Sequence, residues 1–143
     1  FFQADDGIRD SVASRGLGDV YKRQVLDILV EEELVERALD VGSHSLERLK
    51  DLSERYFCIG DVRGSGLFFG AEFVVDPNTR EPDPNLAHKV VNEMRNEGIL
   101  TNRIGINYNT LKIRPNLQFT KENAELLVDT LEKVIIRIKK SLF

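Results

Sequence analysis

The chain has 143 residues, of which 41% are hydrophobic, and its formal net charge is -4 at pH 7. Such a length is enough for one domain with a buried core and too short for two. The basic residues are interleaved with Glu and Asp and form no stripe with exposed aromatic residues, which argues against nucleic-acid binding. No apolar run is long enough to span a membrane, so we expect an acidic soluble domain.

The N-terminal residues 1–24 are predicted to be foreign to the domain that follows. Part of the transposase mosaic end used in sequencing adapters encodes residues 19–24. Residues 14–18 continue that adapter upstream in the same frame. Residues 3–10 match a flow-cell adapter at all but one position. Such non-native segments carry no information about the fold of the domain. We therefore expect a disordered segment, a domain over residues 25–143 and a missing biological N-terminus; a genuine polar arm is the alternative.

Val25 to about Tyr56 predicts one long amphipathic helix. Charged residues separate apolar residues that recur at helical spacing. These residues are Ile28, Val35, Leu39, Gly42, Leu46, Leu49, Leu52 and Tyr56. One face of this helix is therefore expected to be apolar.

Cysteine and histidine are too sparse for most site chemistry. Cys58 is the one cysteine, which excludes an intrachain disulfide and favours a reducing, cytoplasmic compartment. Beside Phe57 and Ile59 it is expected to be a small buried residue. The two histidines, His44 and His88, predict helix-surface or helix-packing roles and no metal site.

A glycine-rich turn that leads into an apolar strand is predicted over residues 60–75. Its alternate residues divide into two sets, Leu67, Phe69, Ala71, Phe73 and Val75 against Phe68, Gly70, Glu72 and Val74. Gly64 and Gly66 also suggest a phosphate-binding loop, but that fingerprint needs a helix directly after the glycines. A turn with positive φ is therefore the preferred interpretation.

The next segment predicts a helix and two strands. Asp83 and Pro84 are an N-cap and first-turn pair, and Gly98 ends the helix. Ile99 and Leu100 are expected to begin a short strand, and residues 102–109 to form a flexible or ligand-facing loop. In the strand Thr110–Ile113, Leu111 and Ile113 point one way and Thr110 and Lys112 point the other, as does Arg114 directly after the strand.

The last helix has the most regular apolar spacing of the chain. Thr120 is its predicted N-cap. Its stripe is Ala124, Leu127, Val128, Leu131, Val134, Ile135, Ile138 and Leu142. These elements indicate an α+β domain in which helices cover one face of a small, mainly antiparallel sheet. The other face, with Phe68, Gly70 and Val74, is expected to dock on a missing domain.

Three motifs occur in the order found in class III aminotransferases. They are V-R-G-S-G-L-F-F-G-A-E-F at residues 62–73, E-G-I-L at 97–100 and N-T-L-K-I-R-P-N-L-Q-F-T at 109–120. Residues 26–34 are also similar to the long helix that enters the small domain in this family. Residues 25–143 as a whole resemble that small C-terminal domain, which implies the α+β fold it has in fold-type I pyridoxal-phosphate enzymes.

The resemblance implies a cofactor, pyridoxal 5'-phosphate, bound by a missing large domain. In the family the cofactor forms a Schiff base with a lysine of that domain. Those residues have no matching positions here, so no catalytic, cofactor-binding or metal-binding residue is assigned, and the fragment alone is expected to be inactive. The implied partners are a small-molecule amino donor, an oxo-acid acceptor, the large domain and a second identical subunit in the complete enzyme.

Lys112 and Arg114 are the candidate substrate-binding residues that the resemblance implies. Many members have an arginine at the position of Lys112, where it holds the substrate carboxylate as a bidentate ion pair. Lysine keeps the charge without the planar fork, which suits a phosphate or a loosely held carboxylate. Arg114, on the same strand face, could share this role. The alternative is that Lys112 lies on a solvated strand face.

Three functions stay open at this point. The first is an aminotransferase that moves an amino group between an amine or amino acid and a 2-oxo acid. The second is a phospho-lyase acting on a phosphorylated amino alcohol, because L-K-I-R-P followed by L-x-F-T is similar to a branch that contains alanine–glyoxylate aminotransferases and phospho-lyases. The third is a free-standing α+β binding module without a cofactor. Pro115-Asn116 stands where the family usually has two prolines.

Overall fold

Four helices and four strands make up the part of the chain that the computed structural model describes, residues 12–140, with side chains from residue 18 onward. The helices are α1 (Val12–Glu31), α2 (Leu34–Arg55), α3 (Pro84–Asn96) and α4 (Lys121–Lys140). The strands are β1 (Ile59–Ser65), β2 (Phe68–Phe73), β3 (Asn102–Ile104) and β4 (Thr110–Ile113). The chain divides into two units, residues 1–35 and 36–143.

Helix α1 is the main element of the first unit. Residues 12–24, for which disorder was expected, lie in this helix, while residues 1–11 lie outside the described residues. The stretch contains no proline, and Lys22, Arg23 and Gln24 are good helix formers. The helical structure does not test the adapter origin of this segment, which stays a prediction.

One long helix over Val25–Tyr56 was expected, and that expectation is wrong. The helix is broken at Glu33, whose φ is +49°. A left-handed residue cannot continue a right-handed helix, and the amide of Glu33 instead closes the last turn by donating to the Val30 carbonyl at 3.2 Å. A new helix, α2, begins at Leu34.

Helix α2 buries a narrower face than its sequence indicated. Its buried positions within the second unit are Val41, Gly42, Ser45, Leu49 and Leu52, whereas Leu39 of the expected stripe is 53% exposed. The hydroxyl of Ser45 donates to the Val41 carbonyl at 2.7 Å, which satisfies the one polar side chain on this face.

Strands β1 and β2 form an antiparallel hairpin around Gly66, whose φ is +51°. The predicted glycine turn is therefore confirmed, but the residues before it are also a strand. The alternation predicted for β2 holds for Phe69, Ala71 and Phe73, which are all buried.

The alternation fails after Phe73, because β2 ends there and the backbone changes partners. The amide of Val74 donates to the Cys58 carbonyl at 2.9 Å, and the amide of Val75 donates to the Glu81 carbonyl at 2.8 Å. Val74 is consequently 2% exposed and Val75 53% exposed, the reverse of the expectation. Val74 is thus not part of the apolar surface that was expected to dock on another domain.

The four strands form one antiparallel sheet in the order β1-β2-β4-β3. Helix α3 packs on β2, β3, β4 and α4, and the buried side chains of α2 and α4 complete the same core. The other side, called the open face below, carries Asp61, Arg63, Ser65, Phe68, Gly70, Glu72, Thr110 and Lys112, as the strand register and alternation require. The predicted α+β class is confirmed.

Both later helices begin where the sequence predicted. The carboxylate of Asp83 accepts from the amide of Leu86 at 2.8 Å, with Pro84 in the first turn. The hydroxyl of Thr120 accepts from the amide of Asn123 at 3.2 Å. The apolar stripe of α4 is buried as far as Ile138, and Leu142 lies outside the described residues.

The region between α3 and β4 differs from its prediction. The strand expected at Ile99 and Leu100 begins at Asn102, and Leu100 is 84% exposed. Residues 102–104, expected to be loop, pair with β4, so only residues 105–109 form the turn. Strand β4 has its predicted bounds, with Leu111 and Ile113 buried.

Helices α2 and α4 run in the same direction and are joined by a row of polar pairs. The partners advance together along both helices at roughly one-turn steps, as a parallel arrangement requires. The pairs are Asp40–Lys121, His44–Glu125, Arg48–Glu125, Arg48–Asp129, Arg55–Glu132 and Tyr56–Glu132. The helix-packing role expected for His44 is thus a hydrogen bond between His44 Nε2 and Glu125 Oε1 at 2.7 Å.

In the described residues, no helix combines the length and the apolar character that crossing a lipid bilayer requires.

Gly42 of α2 lies directly against the hairpin turn. A Cβ atom at this position would overlap the carbonyl carbon and oxygen of Gly66, and backbone atoms cannot rotate away. We expect Gly42→Ala to lower the free energy of unfolding by about 1–3 kcal/mol, despite the better helix propensity of alanine. Urea unfolding monitored by circular dichroism measures this. A Cβ at Gly18 meets nothing within 4 Å, so Gly18→Ala is the matched control and should not destabilise; an unchanged midpoint for Gly42→Ala would contradict the close contact.

We predict that Glu125 contributes to the stability of the fold at neutral pH and that this contribution is lost in acid. The guanidinium of Arg48 and, second, the imidazole of His44 lower the pKa of the Glu125 carboxyl below its usual range. Because the folded-state pKa is the lower one, the stabilisation is present above the unfolded value of about 4.3 and is lost as pH falls through the folded value. Glu125→Gln should therefore flatten the loss of stability between about pH 5 and pH 2. Thermal unfolding across this range is the measurement, with Glu54→Gln, an exposed α2 position, as the control. Parallel profiles for wild type and Glu125→Gln would refute the assignment.

Candidate functional site

Lys112 lies on the open face, in the middle of the sheet. It is paired in register with Gly70 of β2 on one side and with Asn102 of β3 on the other. Arg63 of β1 pairs with Gly70 from the far side. Arg63, Gly70, Lys112 and Asn102 therefore form one row across all four strands, and Lys112 is half-buried within it.

A groove of about 340 Å³ lies over this row. Its lining residues lie in the four strands and the turn after β3. They include Arg63, Ser65, Phe68, Gly70, Ile104, Thr110 and Lys112. The floor is Gly70, and a Cβ atom there would lie 2.5 Å from the Leu111 carbonyl oxygen and 3.4 Å from Thr110 Cγ2. The close approach of β2 and β4 therefore requires glycine at this position, which leaves the space between Arg63 and Lys112 empty.

The ammonium group of Lys112 has neither an ion pair nor a hydrogen bond within residues 18–140. A half-buried cation without a counter-charge is less well solvated than one in water, and an anion beside it would restore that interaction. The groove around it is mostly apolar, with Phe68 and Ile104 as its hydrophobic walls. Such an arrangement suits a small ligand with one anionic group.

Arg63, the other cation of the row, is already neutralised. Its Nη1 donates to Glu72 Oε2 at 2.7 Å and to the carboxylate of Asp61. The hydrogen bond that Arg63 donates to Glu72, followed by the one it donates to Asp61, raises the pKa of Arg63. In return, Arg63 lowers the pKa of the Glu72 carboxyl, with a smaller contribution from the amide of Asn109.

Arg114 follows β4 directly and is exposed. The two-residue period of a strand puts it on the same side of the sheet as Lys112, about 7 Å further along. It lies beyond the paired ladder and is not a lining residue of the groove. The structure thus brings the two predicted site residues to one face and puts only Lys112 into the groove.

Sequence reasoning missed Arg63, Ile104 and the special position of Gly70 as parts of this site. Arg63 and Gly70 were noted only as members of a motif and a strand face. Their relation to Lys112 depends on the pairing of three strands, which is not readable from any one of them. Ile104 was assigned to a loop, because the strand Asn102–Ile104 has only three residues and no alternation long enough to indicate a strand.

Side chains of the chain itself cap the starts of helices α3 and α4. A phosphate cradle needs free backbone amides, most often at a helix N-terminus. One first-turn amide of each helix is satisfied by its cap, since Leu86 donates to the carboxylate of Asp83 and Asn123 donates to the hydroxyl of Thr120. The glycines Gly64 and Gly66 lead into a strand, as predicted.

Cysteine and histidine have structural roles in the described chain. Cys58 is buried, and this burial raises the pKa of its thiol, so it is not a thiolate nucleophile at neutral pH. His88 Nε2 lies 3.1 Å from the side-chain amide of Asn92, one turn further along α3. Residues 18–140 contain no group of three His, Cys, Asp or Glu residues placed to hold a metal ion.

The family model described as "Aminotransferase class-III" matches residues 19–135, starting inside the segment for which an adapter origin was predicted. A Drosophila melanogaster protein named "Alanine--glyoxylate aminotransferase 2-like" is 42% identical over 102 residues, which are 71% of this chain and 21% of that protein. A Caenorhabditis elegans protein named "Ethanolamine-phosphate phospho-lyase homolog 1" is 40% identical over 112 residues, or 78% of this chain and 24% of that protein.

Solved structures have the same fold. An amine transaminase from an uncultivated Pseudomonas species, in the PLP-bound (internal aldimine) form, aligns with a TM-score of 0.72 and 39% identity over 79% of this chain and 26% of that one. The chain spans between 21% and 26% of the length of these three proteins. Since the family model covers most of the sequence, from residue 19 to residue 135, the chain belongs to the class III aminotransferase family.

Proposed function

We propose that this chain is part of a pyridoxal-phosphate-dependent aminotransferase that transfers an amino group between an amine or amino acid and a 2-oxo acid. In this proposal residues 25–143 are its small C-terminal domain, and residues 1–24 are foreign sequence. Membership of the class III family supports the reaction class. The observation that carries the role of this domain is Lys112, a half-buried cation with no counter-charge in residues 18–140, at the edge of an apolar groove.

The cofactor of the complete enzyme is held outside the described residues. Pyridoxal 5'-phosphate needs a lysine for its aldehyde and a cradle for its phosphate. The helix starts at Asp83 and Thr120 are each capped by a side chain of this chain, which supports placing the cradle elsewhere. The proposal therefore assigns cofactor binding to a large domain that this chain does not include, and assigns catalysis to none of the described residues.

Lys112 binds the anionic group of the substrate in this proposal, and Arg114 contributes from outside the groove. An ammonium group acts as a point charge with three donors, so it holds a carboxylate without fixing its plane. Phe68 and Ile104 then contact the apolar part of the ligand. Arg114 is exposed and free of ion pairs within residues 18–140, so it attracts the same anion at longer range.

A phospho-lyase is the second candidate, and the absence of a planar fork at Lys112 is the observation that favours it. A point charge suits a tetrahedral phosphate as well as it suits a carboxylate. The Caenorhabditis elegans relative named as a phospho-lyase homolog is consistent with it. Family membership does not favour the free-standing binding module.

The open face is proposed to dock on the missing large domain. Phe68 on this face is 53% exposed, and Leu100 and Ile106 near β3 are also exposed. Apolar side chains in such positions are typical of surfaces that another domain covers. The complete enzyme is further proposed to be a homodimer with amino-donor and oxo-acid substrates, located in the cytoplasm because a single cysteine indicates a reducing compartment.

We predict that removing the charge of Lys112 selectively lowers the affinity for the substrate. In the complete enzyme, Lys112→Ala should raise the KM for the anionic substrate about 10- to 100-fold, because a hydrogen bond to a charged group contributes about 1.5–3 kcal/mol. Steady-state kinetics give KM and kcat separately. Lys50→Ala, an exposed lysine of α2, is the matched control. Unchanged kinetics for Lys112→Ala would instead mean that the lysine lies on a solvated strand face.

The 143-residue chain alone should neither catalyse transamination nor bind the cofactor specifically. Mixed with pyridoxal phosphate, it should show no stoichiometric internal-aldimine absorbance, because the proposal assigns both the Schiff-base lysine and the phosphate cradle to the large domain. Absorbance titration followed by borohydride reduction and mass mapping of lysines is the measurement, with the complete enzyme as the positive control. Saturable labelling of one lysine in the chain alone would contradict this division of roles.

A further inference from the structure

We propose that Asp61 and Glu72 are positioning residues that decide the anion specificity of the groove, because they bind the guanidinium of Arg63 and leave Lys112 as the groove cation that binds the ligand. This inference rests on the proposed role of Lys112. It concerns three residues of the hairpin β1–β2 that have no assigned part in substrate binding. It predicts that the groove contains a latent second cation.

The strand register places Arg63 within reach of the groove. Arg63 and Lys112 flank Gly70 in one row, and neighbouring strands are about 4.8 Å apart, so their backbones are separated by about 10 Å. Gly70 puts no side chain between them. An arginine side chain is long enough to cross this single empty position, and its guanidinium would then lie beside the ammonium group of Lys112.

A bulge in β1 is what puts Arg63 on this face. Ile59 pairs with Phe73 and Asp61 pairs with the adjacent Glu72, so one extra residue, Gly60, is accommodated between them. Without the bulge, Asp61 and Arg63 would share the side of Ile59 and point into the core. With it, they lie on the open face beside Glu72.

Two carboxylates then draw Arg63 away from Gly70 and toward the neighbouring row. Asp61 and Glu72 are opposite each other in that row, and Arg63 Nη1 bonds to both. The side chain of Arg63 is 60% exposed, so ionic contacts rather than packing determine where it lies. The clamp is therefore a matter of charge and is reversible.

Glu72 is itself held in place by a buried residue. Its Oε1 accepts from Asn109 Nδ2 at 3.2 Å, and the same amide group donates to the Phe73 carbonyl at 2.9 Å. Asn109 is 2% exposed. Glu72 thus has a fixed orientation, and the position of Arg63 is fixed through it.

The consequence concerns which anion the groove prefers. A guanidinium offers a planar pair of donors that matches a carboxylate, whereas an ammonium group does not distinguish anion shapes in this way. While the clamp is closed, Arg63 lines the groove with its guanidinium bound to Asp61 and Glu72, and the ammonium group of Lys112 is the lining cation without a counter-charge. Opening the clamp adds the fork of Arg63 and should strengthen the binding of carboxylates in particular.

The test uses the full 143-residue chain and acetate as the carboxylate probe, with inorganic phosphate for comparison. Asp61→Asn/Glu72→Gln removes both charges, and the glutamine keeps an oxygen that can accept from Asn109. The amide resonances of Gly70 and Lys112 report binding in titrations followed by NMR. We expect the Kd for acetate to fall about tenfold in the double variant, and the Kd for phosphate to fall less.

Matched variants separate the clamp from a general change in charge. Arg63→Lys, added to the double variant, keeps the positive charge and removes the fork, so it should abolish most of the gain for acetate. A gain that persists in this triple variant would overturn the proposal, since loss of repulsion alone would then explain it. An unchanged acetate Kd in the double variant would overturn it as well.

Lys112→Met distinguishes failure of this inference from failure of the proposed function. If Lys112→Met leaves the anion-induced shifts at Gly70 unchanged, the groove does not use Lys112 and the proposed substrate role is wrong. If Lys112→Met abolishes the shifts while the double variant binds as the wild type does, only the clamp is wrong. Should circular dichroism show the double variant to be unfolded, Asp61→Asn alone makes the same comparison, with a smaller gain that Arg63→Lys again removes.

Discussion

The pairing of β2 with β4 is the constraint on which both the core and the groove depend. In this register Ala71 lies opposite Leu111 on the buried side, and Gly70 lies opposite Lys112 on the open face. A slip of one residue would turn Lys112 into the core and Leu111 toward solvent. Burying an unpaired ammonium group costs several kcal/mol, so the same energy that packs the core also places the cation in the groove.

Asn109 secures that register at the start of β4. Its backbone carbonyl accepts from the amide of Phe73 at 2.8 Å, and its side chain donates to the Phe73 carbonyl. A buried amide with partners on both sides is costly to displace, because each lost hydrogen bond leaves a polar group unsatisfied. Asn109 therefore joins the strand ladder to the network of Glu72 and Arg63 on the open face.

Local patterns predicted the elements of this domain, and distant contacts decided the rest. The alternation in Thr110–Ile113 and the stripe of α4 lie within single elements, so the sequence was sufficient for them. The exchange of Val74 and Val75 depends on hydrogen bonds to Cys58 and Glu81, which no period of two or 3.6 residues encodes. The position of Arg63 in the same row as Lys112 likewise depends on the register of the hairpin and on the bulge in β1, neither of which can be read from a single segment.

Arg63 and Lys112 differ in charge balance, although their positions in the sheet are similar. Arg63 has two carboxylate partners, so an added anion would have to compete with Asp61 and Glu72 for it. Lys112 has none within residues 18–140. An uncompensated, half-buried charge is retained in a fold at some cost in stability, and such a cost is typical of residues kept for binding. The difference in pairing therefore supports the proposal that Lys112, and not Arg63, binds the anionic group of the ligand.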